Sequence, residues 1–297
     1  MKKRLILALS ALSLCILAGC ASINITINKK GNLLQDLEKV NTFANIYDKY
    51  GSFRIDVFGT HADGTKDDYS VYYGDNTYVN INKYGTNIDD HGDVYGYDTE
   101  SDYYFRYVFP GDSYELYKND NEMTACFRYD DEEKIISRED RDGKICLCTD
   151  SKTKNLRQLL ESWGFDPDTV DRVISEYIID SDTLVIEDIK TYAVINGEKI
   201  LYSDTVMNLD SDDFVPDKGI TEAITSDDKR TVTVIADPGT ADEKVYSDTI
   251  IKGGLFFVQY PTGYENTLYD DSECTIPHEI SSDRDSDLTV YIKRSGD

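Results

Sequence analysis

The chain is poor in the residue types that carry most enzyme chemistry. Its 297 residues include three His, three Met and one Trp. It contains no Gly-x-Ser-x-Gly elbow, no His-Glu-x-x-His pair, no phosphate loop and no dinucleotide-binding fingerprint. His61, His91 and His278 each stand beside turn residues, and we expect them in loops facing solvent. The sequence therefore predicts no catalytic residues, no metal site and no cofactor, and a protein that is not an enzyme.

Basic residues are also scarce. There are 31 Lys and Arg against 57 Asp and Glu, a formal net charge of −26. Nucleic-acid binding depends on neutralising phosphates with Lys and Arg, so a nucleic-acid partner is excluded. Adhesion to anionic head groups is disfavoured for the same reason. We interpret the acidity as solubility outside the cell, with binding of calcium or of a cationic ligand as the alternatives.

The best calcium candidate is the run Asp283-Arg284-Asp285-Ser286-Asp287, whose carboxylates stand at positions one, three and five. Leu288 then occupies the glycine position, and Arg294 stands where the bidentate Glu belongs. The run is therefore interpreted as an acidic hairpin loop.

No apolar run is long enough to span a bilayer, which takes roughly 20 residues. Leu5–Leu17 is apolar and follows the basic start Lys2-Lys3-Arg4, which is the layout of a secretory signal peptide. The segment ends Leu17-Ala18-Gly19-Cys20 and resembles the lipobox of bacterial lipoproteins. That resemblance implies recognition of Leu17, Ala18 and Gly19 by a signal peptidase. It also implies cleavage of residues 1–19, lipidation of Cys20, and a chain anchored to the cell membrane outside the cytoplasm.

Four cysteines remain in the body of the chain: Cys126, Cys146, Cys148 and Cys274. A secreted context permits disulfides, but four cysteines allow three pairings. Cys146 and Cys148 would face the same side of a strand. A bridge from Cys126 to one of them and buried free thiols are both left open.

The first part of the chain is predicted to be a long antiparallel sheet with a few helices. Tyr is abundant, at 23 residues, and favours strands. A helix is predicted over Lys29–Tyr50, with one apolar face and Gly51 as its stop. That face comprises Leu33, Leu37, Val40, Ala44 and Tyr47. The predicted strands are Phe53–Phe58, Tyr69–Tyr73, Thr77–Asn82, Val94–Tyr97, Tyr103–Phe109, Tyr114–Lys118, Met123–Tyr129 and Lys144–Cys148.

Two helices, Lys154–Trp163 and Pro167–Ile178, are predicted next, followed by a hairpin. The hairpin pairs Thr183–Ile195 with Lys199–Met207 and turns at Asn196-Gly197-Glu198. This order of elements resembles the half-open barrel of the LolA and LppX-type lipoprotein-carrier superfamily. The resemblance implies a curved sheet with a cavity for acyl chains, in a domain we place at 20–215. The candidate apolar cleft is formed by Leu33, Leu37, Val40 and Trp163.

A second segment, 229–297, follows Val215-Pro216-Asp217. Its predicted strands are Thr231–Ala236, Lys244–Ile251, Leu255–Gln259 and Leu288–Lys293. The run Thr231-Val232-Thr233-Val234, the turn Asp237-Pro238-Gly239-Thr240 and the closing Asp287–Tyr291 resemble the internalin B type repeat, although Leu268 replaces a Trp. The resemblance implies a small β-grasp-like module that serves as an extracellular spacer or contact module and contributes no chemistry. Because the segment has its own strands and turns, we expect it to fold alone.

The sequence thus predicts an α+β, mainly antiparallel β protein: a curved, half-open barrel-like sheet followed by a small β-grasp-like module. The predicted function is that of a membrane-anchored lipoprotein that binds an apolar or lipid-like ligand without catalysis. The alternative is a structural or interaction protein of the cell surface, with a surface protein as its partner.

Overall fold

The computed structural model describes residues 33–74, 77–90, 92–111, 113–122, 133–209, 226–279 and 284–295. Several predictions fall on other residues: the leader with Leu17–Cys20, the strand Met123–Tyr129 with Cys126, the loop residue His91, and the boundary at Val215-Pro216-Asp217. Within the described ranges, no helix combines the length and apolar character needed to cross a membrane.

The predicted fold class is confirmed. The structure is 14% helical and 52% strand, mainly antiparallel, and its sheet is curved without closing into a barrel. The chain divides into two compact units. The first takes residues up to 75 together with 119–212, and the second takes 76–118 together with 213–297. The predicted boundaries at 20–215 and 229–297 stay a prediction.

The described residues of the first unit form a sheet with three short helices. Its strands are β1 (Phe53–Gly59), β2 (Tyr69–Gly74), β7 (Lys134–Arg141), β8 (Lys144–Ser151), β9 (Arg172–Asp180), β10 (Ile186–Ile195) and β11 (Glu198–Leu209). They lie in the order β2-β1-β11-β10-β9-β8-β7, and each pair is antiparallel. The helices are α1 (Leu33–Val40), α2 (Phe43–Tyr50) and α4 (Arg157–Ser162), the last preceded by a 3-10 turn at Thr153–Asn155.

The single helix predicted over Lys29–Tyr50 is wrong, because the chain breaks at Asn41 and Thr42. The Thr42 hydroxyl accepts a hydrogen bond from the Asn45 backbone N–H at 3.2 Å and so caps α2. The break turns the second helix, so Phe43 and Ile46 are buried there while the predicted Ala44 and Tyr47 are only half-buried. Gly51 ends α2 with φ 77°, as predicted.

The helix predicted over Pro167–Ile178 is also wrong, because Arg172–Asp180 forms strand β9. Val170, Val173, Ile174 and Tyr177 have helical spacing, but β9 pairs with β8 along one edge and with β10 along the other. Val173, Tyr177 and Ile179 are buried on one face, and on the opposite face Ile174 is buried while Ile178 is exposed. The following hairpin is confirmed: Ile195 pairs with Glu198, and Asn196 and Gly197 have φ of 52° and 82°.

The second unit holds β3 (Thr77–Asn82), β4 (Gly85–Asp90), β5 (Asp93–Asp98) and β6 (Tyr103–Val108), which form an antiparallel meander. The predicted strand Tyr114–Lys118 is wrong, since helix α3 (Ser113–Glu122) occupies it. Strand β14 (Leu255–Val258) joins the meander by pairing with β6 in parallel.

The remaining strands of this unit are β12 (Lys229–Ala236), β13 (Lys244–Ile251) and β15 (Leu288–Ile292). They form a three-stranded sheet in the order β13-β12-β15, with β12 and β15 parallel. Its core includes Val232, Val234, Val290 and Ile292, together with Val108 from β6. The residues after 229 therefore share a core with the meander.

Candidate functional site

The four residues of the predicted apolar cleft fall into two places. Leu37 is completely buried, and Leu33 and Val40 on the same helix are half-buried. Asn41, at the end of this helix, ties it to the connection between β9 and β10. Its side-chain amide donates to Leu184 O at 3.0 Å, and its side-chain oxygen accepts from Ile186 N at 2.9 Å. Leu37 is therefore a core residue.

Trp163, the fourth predicted residue, is half-buried and lies just after α4. Its indole ring occupies the space that a side chain on Gly59 would fill. A Cβ at Gly59 would overlap the ring and would also come within 2.6 Å of Asp67 O. Trp163 O accepts a hydrogen bond from Ala62 N at 3.0 Å, which fixes the loop after β1 beside the ring.

Trp163 belongs to an aromatic cluster with His61, Phe165 and Tyr202. The ring centroids of Trp163 lie 5.1 Å from His61 and 6.0 Å from Tyr202, and Phe165 lies 5.7 Å from Tyr202. The buried residues beneath are Leu160, Val170, Val173 and Ala193. Because Trp163 and His61 are partly exposed, the Trp163 cluster (Trp163, His61, Phe165 and Tyr202) offers an aromatic surface to solvent.

A β-bulge directs Tyr202 into this cluster. Thr191 pairs with Ser203, but the next residue, Tyr192, pairs with Leu201, so Tyr202 is the extra residue of β11. Its ring is 2% exposed. Burial raises the pKa of the Tyr202 phenol, with a smaller contribution from the negative charge of Glu133, so the phenol stays neutral.

Polar groups accompany the cluster on its two sides. On the exposed side, His61 Nε2 lies 3.3 Å from Asp67 Oδ2. In the interior, the Glu133 carboxylate accepts hydrogen bonds from the Thr149 hydroxyl and, at 2.9 Å, from the Tyr177 hydroxyl. Burial, followed by this carboxylate, raises the pKa of Tyr177 well above its ordinary value. Each of these polar side chains therefore has a hydrogen-bond partner, as polar groups in a binding or structural site usually do.

The second unit carries an aromatic row. Tyr103, Phe105, Tyr107 and Phe109 alternate along β6 and its end, with successive ring centroids 6.0–6.4 Å apart. Phe257 on β14 contacts Phe105 and Tyr107, and Tyr114 and Tyr117 on α3 contact Phe109. The Phe105 ring lies against Gly96, where a Cβ would overlap it. At about 3.3 Å per residue, the row is about 13 Å long from Tyr103 to Tyr107 on β6 and about 20 Å long to Phe109.

Of the two described histidines, His61 lies in a loop and is partly exposed, whereas the prediction that the histidines face solvent is wrong for His278. His61 packs on Trp163, and the His278 side chain is 2% exposed, 2.7 Å from Asp270 Oδ1 and beside the Phe256 ring. Among the residues that the structure describes, no three His, Cys, Asp or Glu side chains are grouped to hold a metal ion. In the acidic run near 285, the Asp287 carboxylate accepts from Thr231 N at 2.7 Å and so joins the loop to β12.

The described cysteines are free thiols. Cys274 is buried, whereas Cys146 and Cys148 are half-exposed, so the expectation of buried free thiols holds for Cys274 alone. Cys126 lies outside the described residues, so the bridge predicted from it stays a prediction.

The sequence indicated Trp163 but missed Gly59, His61 and Tyr202. The pairing of Gly59 with Ser203 across β1 and β11, together with the bulge beside it, brings these residues to Trp163. Such long-range register has no local signal, and 23 tyrosines make Tyr202 indistinguishable by composition.

No protein-family model matches the chain, and no curated protein matches it either. Among solved structures, the chain is weakly similar to a LolA superfamily protein from Nitrosomonas europaea. The TM-score is 0.24 and the identity 11%, over 60% of this chain and 90% of that one. A kievitone hydratase from Nectria haematococca has a TM-score of 0.12 and 12% identity, over 88% of this chain and 76% of that one. These values identify no family and no catalytic activity.

Proposed function

We propose that this protein is a membrane-anchored lipoprotein outside the cytoplasm that binds an apolar or lipid-like ligand without catalysis. The observation that carries the binding proposal is the Trp163 cluster. A large apolar ring, part-exposed, is held in place by Gly59 and by the loop around His61. Apolar ligands bind at such sites by contact area, with a few polar groups that set orientation.

The charge of the site restricts the ligand. Asp67 lies beside His61, and the Asp68 carboxylate accepts from Gly59 N at 3.1 Å, in a chain of net charge −26. A carboxylate or phosphate head group would be repelled there, because like charges in a partly desolvated site cost free energy. We therefore expect an uncharged or cationic head group on the ligand.

The anchor is proposed from Leu17-Ala18-Gly19-Cys20 alone. The apolar segment before it is too short to remain as a membrane helix, and the lipid on Cys20 would hold the protein at the membrane. Anchoring would restrict the protein to ligands near the membrane surface, which is where apolar molecules concentrate.

Native mass spectrometry of the protein, extracted gently from its own membrane, tests the binding proposal. We expect a population heavier than the lipidated chain by the mass of one apolar molecule, which Trp163→Ala removes. A wild-type spectrum showing the lipidated chain alone, obtained under conditions that preserve a known lipid carrier in its loaded form, would contradict the proposal.

The alternative is a cell-surface interaction protein, and the aromatic row of the second unit favours it. Protein interfaces are enriched in Tyr and Phe, and this row combines both in one continuous strip. Two variants distinguish ligand binding from the interaction role. Ligand loss with Trp163→Ala supports ligand binding, whereas loss of attachment to other cells with Phe257→Ala, and not with Trp163→Ala, supports the interaction role.

A further inference from the structure

Strand β8 presents two free thiols on one face. Its residues alternate between buried and half-exposed, with Ile145, Leu147 and Thr149 in the interior. Cys146 and Cys148 are therefore on the opposite, half-exposed face, and both are unbridged. Neither the Trp163 cluster nor the aromatic row uses them.

The spacing of these thiols disfavours a disulfide between them. Two residues apart on a strand, their α-carbons are separated by about 6.7 Å, at the upper limit for a disulfide. Their Cα–Cβ bonds also run side by side instead of converging. Two sulfurs that stand side by side on a strand can instead both ligate one ion placed between them.

Each thiol has a cationic side chain nearby. A hydrogen bond to the Cys146 sulfur raises the pKa of Arg141, which lies at the turn between β7 and β8. Lys199 on β11 lies beside Cys148, since it is paired with Glu176, the register partner of that thiol on β9. Ser137 on β7 also hydrogen-bonds to Cys148.

Acidic groups also face these positions. Glu139 on β7 is the register partner of Cys146, and Glu176 on β9 is the register partner of Cys148. Glu176 is paired with Lys199 at 2.7 Å. Asp150 also acts on Cys148 and Asp142 on Arg141, so the thiols lie among charges of both signs, with the Arg141 guanidinium at the Cys146 sulfur.

We propose that Cys146 and Cys148 together bind one soft monovalent cation, Cu(I), as a two-thiolate site. Thiolates select Cu(I) over hard cations, and two ligands do not complete the four that Zn²⁺ takes in structural sites. On binding, two S–H bonds break, two S–Cu bonds form and two protons pass to solvent, and copper keeps its oxidation state. The complex has one net negative charge, which the Arg141 guanidinium at the Cys146 sulfur offsets in part.

Anaerobic titration with Cu(I) against bicinchoninate tests this. The protein is the full chain with Cys15→Ser and Cys20→Ser, so that leader thiols do not contribute. We expect one tightly held Cu(I) per chain and two protons released. Cys146→Ser or Cys148→Ser should each weaken binding at least tenfold, and Arg141→Gln a few-fold. Cys274→Ser, which removes a buried thiol of the other unit, should leave binding unchanged.

Three results would overturn the proposal: no Cu(I) retained by a chain whose thiols are shown to be reduced, full retention by the Cys146→Ser/Cys148→Ser variant, or loss of the ion on Cys126→Ser. Circular dichroism of each variant separates loss of ligands from loss of fold. X-ray absorption of the loaded protein should show two sulfur neighbours at copper, and a spectrum with nitrogen or oxygen ligands would also contradict it.

Discussion

The indole ring of Trp163 packs directly on the backbone of Gly59, in the space that any side chain there would need. Gly59→Ala would drive a methyl group into the ring and towards Asp67 O. We expect a loss of about 1–3 kcal/mol in the free energy of unfolding, the usual cost of overpacking. The measurement is urea denaturation followed by the emission of Trp163, the one Trp of the chain.

A double variant provides the control for Gly59. Trp163→Leu shortens the side chain above Gly59 but leaves Asp67 O in place, so Gly59→Ala/Trp163→Leu should recover only part of the loss relative to Trp163→Leu alone. These variants are followed by circular dichroism, since they lack Trp. Equal stability of wild type and Gly59→Ala would show that the ring does not lie on Gly59.

Asn41 is the fully buried link between α1 and the β9–β10 connection. Its side chain donates to Leu37 O at 2.7 Å and to Leu184 O, and it accepts from Ile186 N. Asn41→Ala would leave these buried groups without partners, and we expect a loss of about 3 kcal/mol in thermal or chemical unfolding. Asn45→Ala, four residues on and exposed, should change stability by less than about 0.5 kcal/mol.

Asp188 and Asp204 face one another on β10 and β11, and each has one buried carboxylate oxygen with no hydrogen-bond partner among the described residues. Burial raises the pKa of Asp188 above 3.8; Lys190 opposes this and Asp204 adds to it. The folded state therefore binds the proton more tightly than the unfolded state does. The stability that the protonated Asp188 carboxyl contributes to the folded state falls as the pH rises from about 4 through the raised pKa. At neutral pH this contribution is absent.

Asp188→Asn should thus increase the free energy of unfolding more at pH 7 than at pH 4. We expect a gain of about 1 kcal/mol or less, because the side chain is 21% exposed and solvent screens its charge. Asp56→Asn is the matched control on the same sheet face. The Asp56 carboxylate accepts from Ser70 at 2.6 Å and from Asn208 at 2.7 Å, so its loss should destabilise. If Asp188→Asn were less stable than Asp56→Asn at pH 7, the role given to Asp188 would be contradicted.

Cys20→Ala should release the protein from the membrane fraction. A stable anchor needs two acyl chains at about 0.8 kcal/mol per buried CH₂, and no basic patch follows Cys20 to replace them. The check is fractionation with a high-salt wash, and Cys15→Ala is the control that should remain anchored. Persistent sedimentation of Cys20→Ala with membranes would overturn the lipoprotein proposal.

The elements that the sequence predicted well have a clear local signal. Phe53, Ile55 and Val57 alternate and are all buried, and Asn196-Gly197 gave the hairpin turn. Strand β7 lacks such alternation, since every one of its residues is exposed and five of the eight are charged. Its only local signal is the two-residue turn Asp142-Gly143, with φ of 51° and 74°, across which it pairs with β8 as a hairpin.

Two of the wrongly predicted elements depend on contacts with residues distant in the sequence. Arg172–Asp180 has apolar spacing that suits both a helix and a strand, and the pairing with β8 and β10 decides between them. Ser113–Glu122 alternates Tyr114 with Leu116, but forms a helix on which Tyr114 and Tyr117 share a side towards Phe109. Trp163 was predicted from its apolar helix face, whereas its neighbours depend on the register of β1 and β11.

The central proposal is that an apolar ligand binds at the Trp163 cluster. Its most direct test is titration of the soluble Cys20→Ala protein with an uncharged monoacylglycerol below its aggregation concentration, following Trp163 emission. Melting temperature is followed in parallel, because a ligand at a hundredfold excess over Kd stabilises the folded state by about 2.7 kcal/mol. We expect a saturable emission change and a higher melting temperature. The thermal shift should be lost in Trp163→Ala, kept in the exposed Leu159→Ala, and smaller with a fatty acid anion. Absence of any saturable change or thermal shift with neutral, cationic and anionic lipids alike would contradict ligand binding at this site.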